Sequence, residues 1–591
     1  MKKLILSFFS ILSVGAFVKA QDVNDGIKFI NYQRWTSAKQ TLQKAVAANP
    51  KDPSAIYWLG QAYIGNKQVD SAKIIYQNAL TAGVNDPWIW IGSGEVEVLQ
   101  GGDINSAKQK FEQAITATTK TKGRDKGPNP DILNAVGRAM AAGSSTQGDP
   151  NYGIDKLKQA AAIDQKNPDI YINMGLCYRK LGGDQGGQAF EAFRQATVIA
   201  PQDPRAYYLI GKIYESQRNK ESMDEWFSKA VSADATFAPV YIEYFNYYKE
   251  TDVNTAKGYL DKWIANADKD CLSNYFVGDY LFRAGKYQES LDQAKSMEAG
   301  GCATYPRLNV LYAYDYDRLG DSVQARSYIQ KFLSTADTSD IQPSDYALAG
   351  SVLAKFPENA DSAGHYFQLA IAKDTIKEDQ QKYLSSAVDV ATSTNNYSAL
   401  LKLISSMKTI TGSDLSETQY YNVSKAIADA AADTSKPFDS TKYLVGDSVI
   451  LAYVAAFPDK PQPYAFRVRY AKASDRDSTK GLALPAIAAQ NEYESKYKDT
   501  SASAKQVMFS NDVYLLIYYA QYDQHGEKAD NYQKAIDIAN QMIALYPDAT
   551  SDENKYATGI KNQLQGALDK YNKSKNSSSG TSSGGGSKQK K

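Results

Sequence analysis

The chain has 591 residues, with 67 Lys and Arg against 66 Asp and Glu, two His and three Cys. Balanced charge excludes a general nucleic-acid-binding role, which needs a basic footprint, and two histidines, His365 and His525, leave almost no material for a His-rich metal centre or a Ser-His-Asp triad. The length exceeds what one compact core can hold, so the chain forms several domains or an elongated array.

The N-terminus reads as an address. Lys2 and Lys3 precede an apolar run from Leu4 to Phe17, and Val18-Lys19-Ala20 stands before Gln21. This is the pattern of a secretory signal peptide over residues 1–20, cleaved after Ala20. The apolar run is short for a membrane span, and a retained N-terminal anchor is the alternative. No Cys stands beside the cleavage site, which argues against a lipid anchor. No later stretch is apolar enough to cross a bilayer, so no transmembrane segment is expected in the mature chain.

From about Gly26 the pattern is helical and repeats. "YWLGQAYIGNKQVDSAKIIYQNA" (Tyr57 to Ala79) returns from Tyr171 and again from Tyr207. In each copy a bulky apolar residue precedes Gly and an aromatic follows three residues later: Leu59-Gly60-Tyr63, Met174-Gly175-Tyr178, Ile210-Gly211-Tyr214. A second block places small and aromatic residues four and three apart: Ala72-Tyr76-Ala79, Ala189-Phe193-Ala196, Met223-Phe227-Ala230. Pro50, Pro201 and Pro204 close units. Ala38 and Ala72 are 34 residues apart, and Gly175 and Gly211 are 36 apart. Small residues on a first helix let a second helix approach, and aromatics fill the groove beside them. A single pair cannot bury its own face, so pairs must stack.

A 34-residue period with these residues resembles the tetratricopeptide repeat (TPR) family. The resemblance implies an all-α fold, a right-handed superhelical solenoid of antiparallel helix pairs. Copies in phase run from about Gly26 to Ala235. Weaker ones follow at Tyr280–Ala294, Tyr314–Leu333, Asn359–Asp374 and Asp530–Ala549, and between about Thr392 and Ala529 the phase drifts. About 12 to 14 pairs are expected. They divide into a TPR array over 21–340 and degenerate TPR-like helical repeats over 341–571. Residues 572–591, "NKSKNSSSGTSSGGGSKQKK", read as a disordered Gly/Ser/Lys-rich tail.

The 43 Tyr invite a ligand platform, yet Tyr63, Tyr76, Tyr178 and Tyr214 fall where a repeat packs its own core. In the TPR family the working surface is the concave face lined by first helices. Positions one and two off the packing set select Tyr57, Gln61, Arg179, Tyr208, Lys212, Asn246 and Lys249 as binding residues. That mixed aromatic, amide and basic stripe suits an extended peptide of acidic or aromatic character. The Lys/Asn/Arg clamp that some TPR proteins use for chaperone tails is not reproduced, because Ile172 and Leu176 stand where polar residues would be needed.

Cys271 opens one helical pair and Cys302 follows its second helix, so a disulfide can staple the pair in an oxidising compartment. Cys177 falls in a helical core and reads as a buried thiol. Asp followed by Ser or Thr recurs at Asp70, Asp321, Asp361, Asp374, Asp439, Asp447 and Asp477. Two readings stand: helix N-caps, or the O-glycosylation sequon that exported Bacteroidetes proteins carry and that this pattern resembles.

No phosphate-binding loop, dinucleotide fingerprint, metal site or nucleophile–base pair is found, so no cofactor and no enzyme activity are expected. The functional expectation is a periplasmic interaction scaffold that holds protein segments in a concave groove and helps organise cell-envelope complexes. The alternative is a glycan- or small-ligand-binding helical protein of polysaccharide uptake. Both are fold-level analogies.

Overall fold

The computed structural model describes residues 23–123, 126–435, 439–523 and 527–579. The leader reading over 1–20, His525 and residues 580–591 lie outside the described residues. Within them every regular element is a helix apart from an isolated bridge between Lys120 and Gly127. The described residues divide into two compact units, one ending at Leu319 and the other beginning at Gly320.

The first unit begins with α1 (23–31) and α2 (Trp35–Ala48). It continues with α3 (Pro53–Gly65), α4 (Val69–Thr81), α5 (Pro87–Leu99), α6 (Ile104–Thr118), α7 (Pro130–Ala141) and α8 (Pro150–Ile163). Then come α9 (Pro168–Leu181), α10 (Gly186–Ile199), α11 (Pro204–Ser216), α12 (Lys220–Ala233), α13 (Ala238–Tyr248) and α14 (Val253–Asn266). The unit closes with α15 (Cys271–Arg283), α16 (Tyr287–Met297) and α17 (Leu308–Arg318). Odd-numbered helices are the first of each pair. Local sequence dictates the starts: α3, α5, α7, α9 and α11 each open with Asp or Asn followed by Pro. The Asp or Asn carboxyl or amide oxygen accepts from an orphan N–H of the first turn. Proline at N1 gives up only an N–H that had no partner. The turns inside the pairs need a left-handed residue, and Gln33, Lys67 and Arg218 adopt it with φ of 55°, 59° and 56°.

Glycine sets the distance between paired helices. A Cβ on Gly60 would overlap the Tyr76 ring, one on Gly175 the Phe193 ring and one on Gly211 the Phe227 ring. Tyr76, Phe193 and Phe227 are buried at these contacts, and the Tyr76 hydroxyl donates to the Tyr57 carbonyl at 2.9 Å. Tyr63, Tyr178 and Tyr214 are partly buried against the same cores.

Gly320, with φ +87°, makes the turn after α17. α17 packs on α15 and α16, whereas α18 (Ser322–Thr335) packs on α19 (Pro343–Leu353). The division falls inside Tyr314–Leu333, which sequence spacing reads as one weak repeat. The second unit continues with α20 (Ala360–Lys373), α21 (Lys377–Ser393), α22 (Tyr397–Thr411), α23 (Glu417–Ala432) and α24 (Tyr443–Ala456). Next come α25 (Pro461–Ser474), α26 (Leu484–Ser495), α27 (Ala502–Ile517), α28 (Lys528–Leu545) and α29 (Asp552–Ser579). The glycine device persists where the sequence pattern fades: Gly350 lies against Phe367, and Gly446 against the Tyr470 ring. Within 392–529, where the sequence loses phase, the described residues still form helices, and α23 packs chiefly on α25. α29 runs on to Ser579, so 572–579 is helical instead of being part of a disordered tail. Lys575 pairs with Glu527 at 2.7 Å, which ties that last turn back to the start of α28.

Cys271 and Cys302 are joined, with Cα atoms 5.6 Å apart and a sequence separation of 31. Cys177 is a buried free thiol whose Sγ–H donates to the Gly137 carbonyl at 3.5 Å, and burial pushes its pKa up to about 12.

This packing is open to measurement. Gly60→Ala forces the Tyr76 ring away and should cost about 1–3 kcal/mol. Gly258→Ala, at a helical site with open space, should stabilise by about 0.5–1 kcal/mol. Thermal melts of the two variants are expected to shift in opposite directions. Replacing Cys271 and Cys302 together by Ser should cost about 2–4 kcal/mol in the chain-entropy model, read by chemical denaturation without reductant.

Candidate functional site

The residue after each packing glycine points to the same side of the first helices. In the first unit this register holds Gln61, Glu95, Arg138, Leu176, Lys212 and Asp279. Their side chains reach from one repeat to the next. Gln61 Nε2 donates to Glu95 Oε2 at 2.5 Å. Arg138 lies over the Trp58 ring at 4.6 Å, donates to the Tyr57 hydroxyl at 3.3 Å and stands 4.0 Å from Asp169. Asp169 pairs with Arg205 at 2.7 Å, and Arg205 also holds Asp203. The Tyr208 hydroxyl donates to Glu243 at 2.7 Å, and Lys212 bridges Glu243, at 2.8 Å, and Glu215. Lys249 pairs with Asp279 at 3.1 Å, and Arg283 joins Asp279 to Glu250. The face is thus a ladder of cross-repeat pairs running from α3 to α15.

The sequence-selected residues take different places in it. Tyr57 is wholly buried, and burial raises its phenol to about 12. Gln61 is buried beside Glu95. Tyr208, Lys212 and Lys249 are half-buried and paired as above. Arg179 is exposed near the end of α9 and faces Glu215 electrostatically. Asn246 is exposed and borders a cavity of about 300 Å³ against the α1–α2 turn. Sequence reading missed Glu95, Arg138, Asp169, Arg205, Glu243 and Asp279. The signal for Glu95, Arg138 and Asp279 was present: they occupy the register that picked out Gln61 and Lys212.

Burial sets the charge states. It raises Glu95 to about 7, against the pull of Gln61 and Arg138. Asp315, buried on α17 with Ser290 Oγ donating to it at 3.0 Å, rises to about 8 because burial outweighs that bond. At Asp169 burial also pushes upward, but Arg205 and Arg138 outweigh it and hold the carboxyl below its usual range. Lys212 and Lys249 of the stripe are already engaged by acids of the same chain.

In the second unit a shallow cavity of about 790 Å³ lies between α20, α21 and α22, with Ile371, Leu384, Leu401 and Ile410 in its wall. His365 is exposed on α20. Among the described residues no group of His, Cys, Asp and Glu could hold a metal ion, and no helix is long and apolar enough to cross a membrane.

Comparison with known proteins places tetratricopeptide repeats in two segments: family models match residues 32–90 and 204–237. Among curated proteins, the BBSome complex member BBS4 of Bos taurus is 22% identical over 293 residues, covering 44% of this chain and 54% of that protein. The cell division cycle protein 16 homolog of Homo sapiens is 26% identical over 226 residues, covering 36% and 33%. The matched region spans about half, or less, of those relatives' length. Among solved structures, the C-terminal part of a TPR repeat-containing protein from Cytophaga hutchinsonii is 20% identical. It covers 48% of this chain and 98% of that one at a TM-score of 0.26. The yeast Tom70 structure is 10% identical and covers 70% and 96% at a TM-score of 0.34. The chain carries TPR-type helical repeats, an architecture consistent with protein–protein interaction.

Glu95 gives a pH test. Its folded pKa, about 7, lies above the ordinary 4.5, so the fold retains a proton between these values that the unfolded chain releases. The associated stabilisation is fully present below about pH 4.5 and is lost as pH rises through about 7. Glu95→Gln fixes the neutral state. Its free energy of unfolding, from chemical denaturation, should draw ahead of the parent's between pH 5 and pH 8, by about 1–3 kcal/mol at the upper end. A gap that stays constant with pH would show that Glu95 is ionised in the fold.

Proposed function

We propose that the protein is a non-enzymatic scaffold of the periplasm that holds segments of partner proteins on the first-helix face and helps assemble cell-envelope complexes. The observation that carries this reading is the polar ladder itself. The face carries hydrogen-bonding side chains on first helices from α3 to α15, as an extended segment requires. The Cys271–Cys302 bond supports an oxidising compartment, and the Lys2–Ala20 sequence supports export.

The acidic members of the ladder change the expected partner. Lys212, Lys249 and Arg205 are bound to Glu243, Asp279 and Asp169, so a ligand meets paired charges instead of a basic stripe. Binding proceeds by exchange of pairs, which favours specificity over raw affinity.

O-glycosylation of the Asp-Ser and Asp-Thr sites, in a Bacteroidetes-type host, belongs to the same reading. Ser362, Thr375, Ser440 and Ser448 are exposed. The capping role coexists at some of these sites: Asp321 accepts from Gln324 N at 3.1 Å and Asp439 from Thr441 N at 3.1 Å. A second reading, a glycan- or small-ligand-binding protein, draws on the cavity between α20, α21 and α22.

A photo-crosslinker at Arg179, exposed on the face, should capture a reproducible set of envelope proteins in cells. The same probe at Gly258, on a second helix, should not. Equal capture at both sites, or binding to a glycan array without protein capture, would overturn the scaffold reading.

A further inference from the structure

The turn between α1 and α2 does not project into solvent. It lies on the beginnings of helices some 200 residues further along the chain. The Tyr32 ring meets Phe237 edge-on at 5.2 Å, and its hydroxyl donates to Asp234 at 2.5 Å. The Gln33 side chain lies beside the Tyr208 hydroxyl. Arg34 Nε stands 3.3 Å from Asp268. The cap residue of α2, Arg34, makes no side-chain cap of its own. Asp268 supplies it instead: its Oδ2 accepts from Thr36 N at 2.8 Å and Ser37 N at 3.1 Å, and its Oδ1 from Ser37 Oγ at 2.5 Å. Thr36 Oγ1 adds a bond to Asp270 at 3.2 Å. A helix N-terminus is thus capped by a carboxylate 232 residues away, with its side chain 8% exposed.

Two residues of the binding stripe lie at this contact. Tyr208 meets edge-on the Phe237 ring that Tyr32 also meets, and Asn246 borders the cavity of about 300 Å³ that Trp35, Ile242, Trp263 and Phe276 also line. The turn therefore covers part of the first-helix face of α11, α13 and α15. The surface beneath it combines aromatic rings with the three acids Asp234, Asp268 and Asp270, and the turn answers it with an aromatic at 32 and a guanidinium at 34. It sits there as a peptide ligand would, with backbone donors, one ring and one cation matched to the patch.

We propose that this aromatic and acidic patch is a recognition site for partner segments carrying an aromatic and an Arg two residues apart, and that the Tyr32–Arg34 turn occupies it as an internal ligand in the free protein. A partner gains the patch by displacing the turn, so the first helix pair acts as an autoinhibitory strap on the groove. The proposal rests on the reading of the first-helix face as a protein-binding surface. Arg179 lies outside the patch, so crosslinking there fails or succeeds independently of whether the turn is displaced.

The test uses the full chain and a fluorescein-labelled peptide of residues 27–48, followed by anisotropy. Tyr32→Ala with Arg34→Ala loosens the strap and leaves the acidic patch intact. That variant is expected to bind the peptide about tenfold more tightly than the parent, because the parent's own turn competes. Adding Asp234→Asn and Asp268→Asn should abolish the gain. Equal affinity for parent and loosened chain overturns the proposal. So does absence of binding to a loosened chain whose melting curve matches the parent's. If the double variant melts early, Arg34→Ala alone, which keeps the Tyr32 ring on Phe237, serves in its place with the same expected order of affinities.

Discussion

The contact between a glycine of a first helix and the ring of its second helix governs the rest of the structure. At Gly60, Gly175 and Gly211 the missing Cβ lets the rings of Tyr76, Phe193 and Phe227 approach the helix backbone closely. Ridge-into-groove packing at that distance fixes how each pair is rotated. Rotation in turn decides which residues face the next repeat. Because the residue after each glycine then points the same way, Gln61 can reach Glu95 and Lys212 can reach Glu243. A bulkier residue at the glycine would displace the ring and, through it, the ladder register.

The ladder explains how a polar face survives without a bound partner. Carboxylates and cations partly removed from water are costly unless paired. Here Asp169 with Arg205, and Asp279 with Lys249 and Arg283, supply that pairing within the chain. Glu95 meets the constraint differently, by keeping its proton near neutral pH, and Asp315 does the same beside Ser290. A face built this way is stable empty and remains exchangeable, because each pair can be replaced by an equivalent from a partner. The strap at Tyr32–Ser37 extends this logic from pairs to a whole segment.

The repeat was legible because its signal is local and recurs. Gly60, Tyr63, Ala72 and Tyr76 sit within 17 residues of one another and return in phase, and the Cys271–Cys302 pairing followed from their places at the two ends of one helix pair. The roles of the stripe residues were less legible. Tyr57 and Gln61 read as surface groups in the sequence and are buried, because Glu95 and Arg138 close over them from neighbouring repeats. Burial of that kind depends on partners 34 or more residues away. The capping of α2 by Asp268 was illegible for the same reason in stronger form: nothing near Asp268 in sequence marks it as the cap of a helix 232 residues earlier. The division at Leu319 likewise depends on packing, of α18 against α19, which composition does not report.

The closure of the first helix pair onto Asp268 is tested most directly by amide hydrogen exchange at Thr36 and Ser37, residue by residue, in the parent chain and in Asp268→Asn. These N–H groups belong to a first helical turn and have no intrahelical acceptor. Closure predicts strong protection of both in the parent and a loss of about tenfold or more in the variant, with α3 to α10 unchanged. Exchange at the rate of an uncapped helix end already in the parent would contradict it.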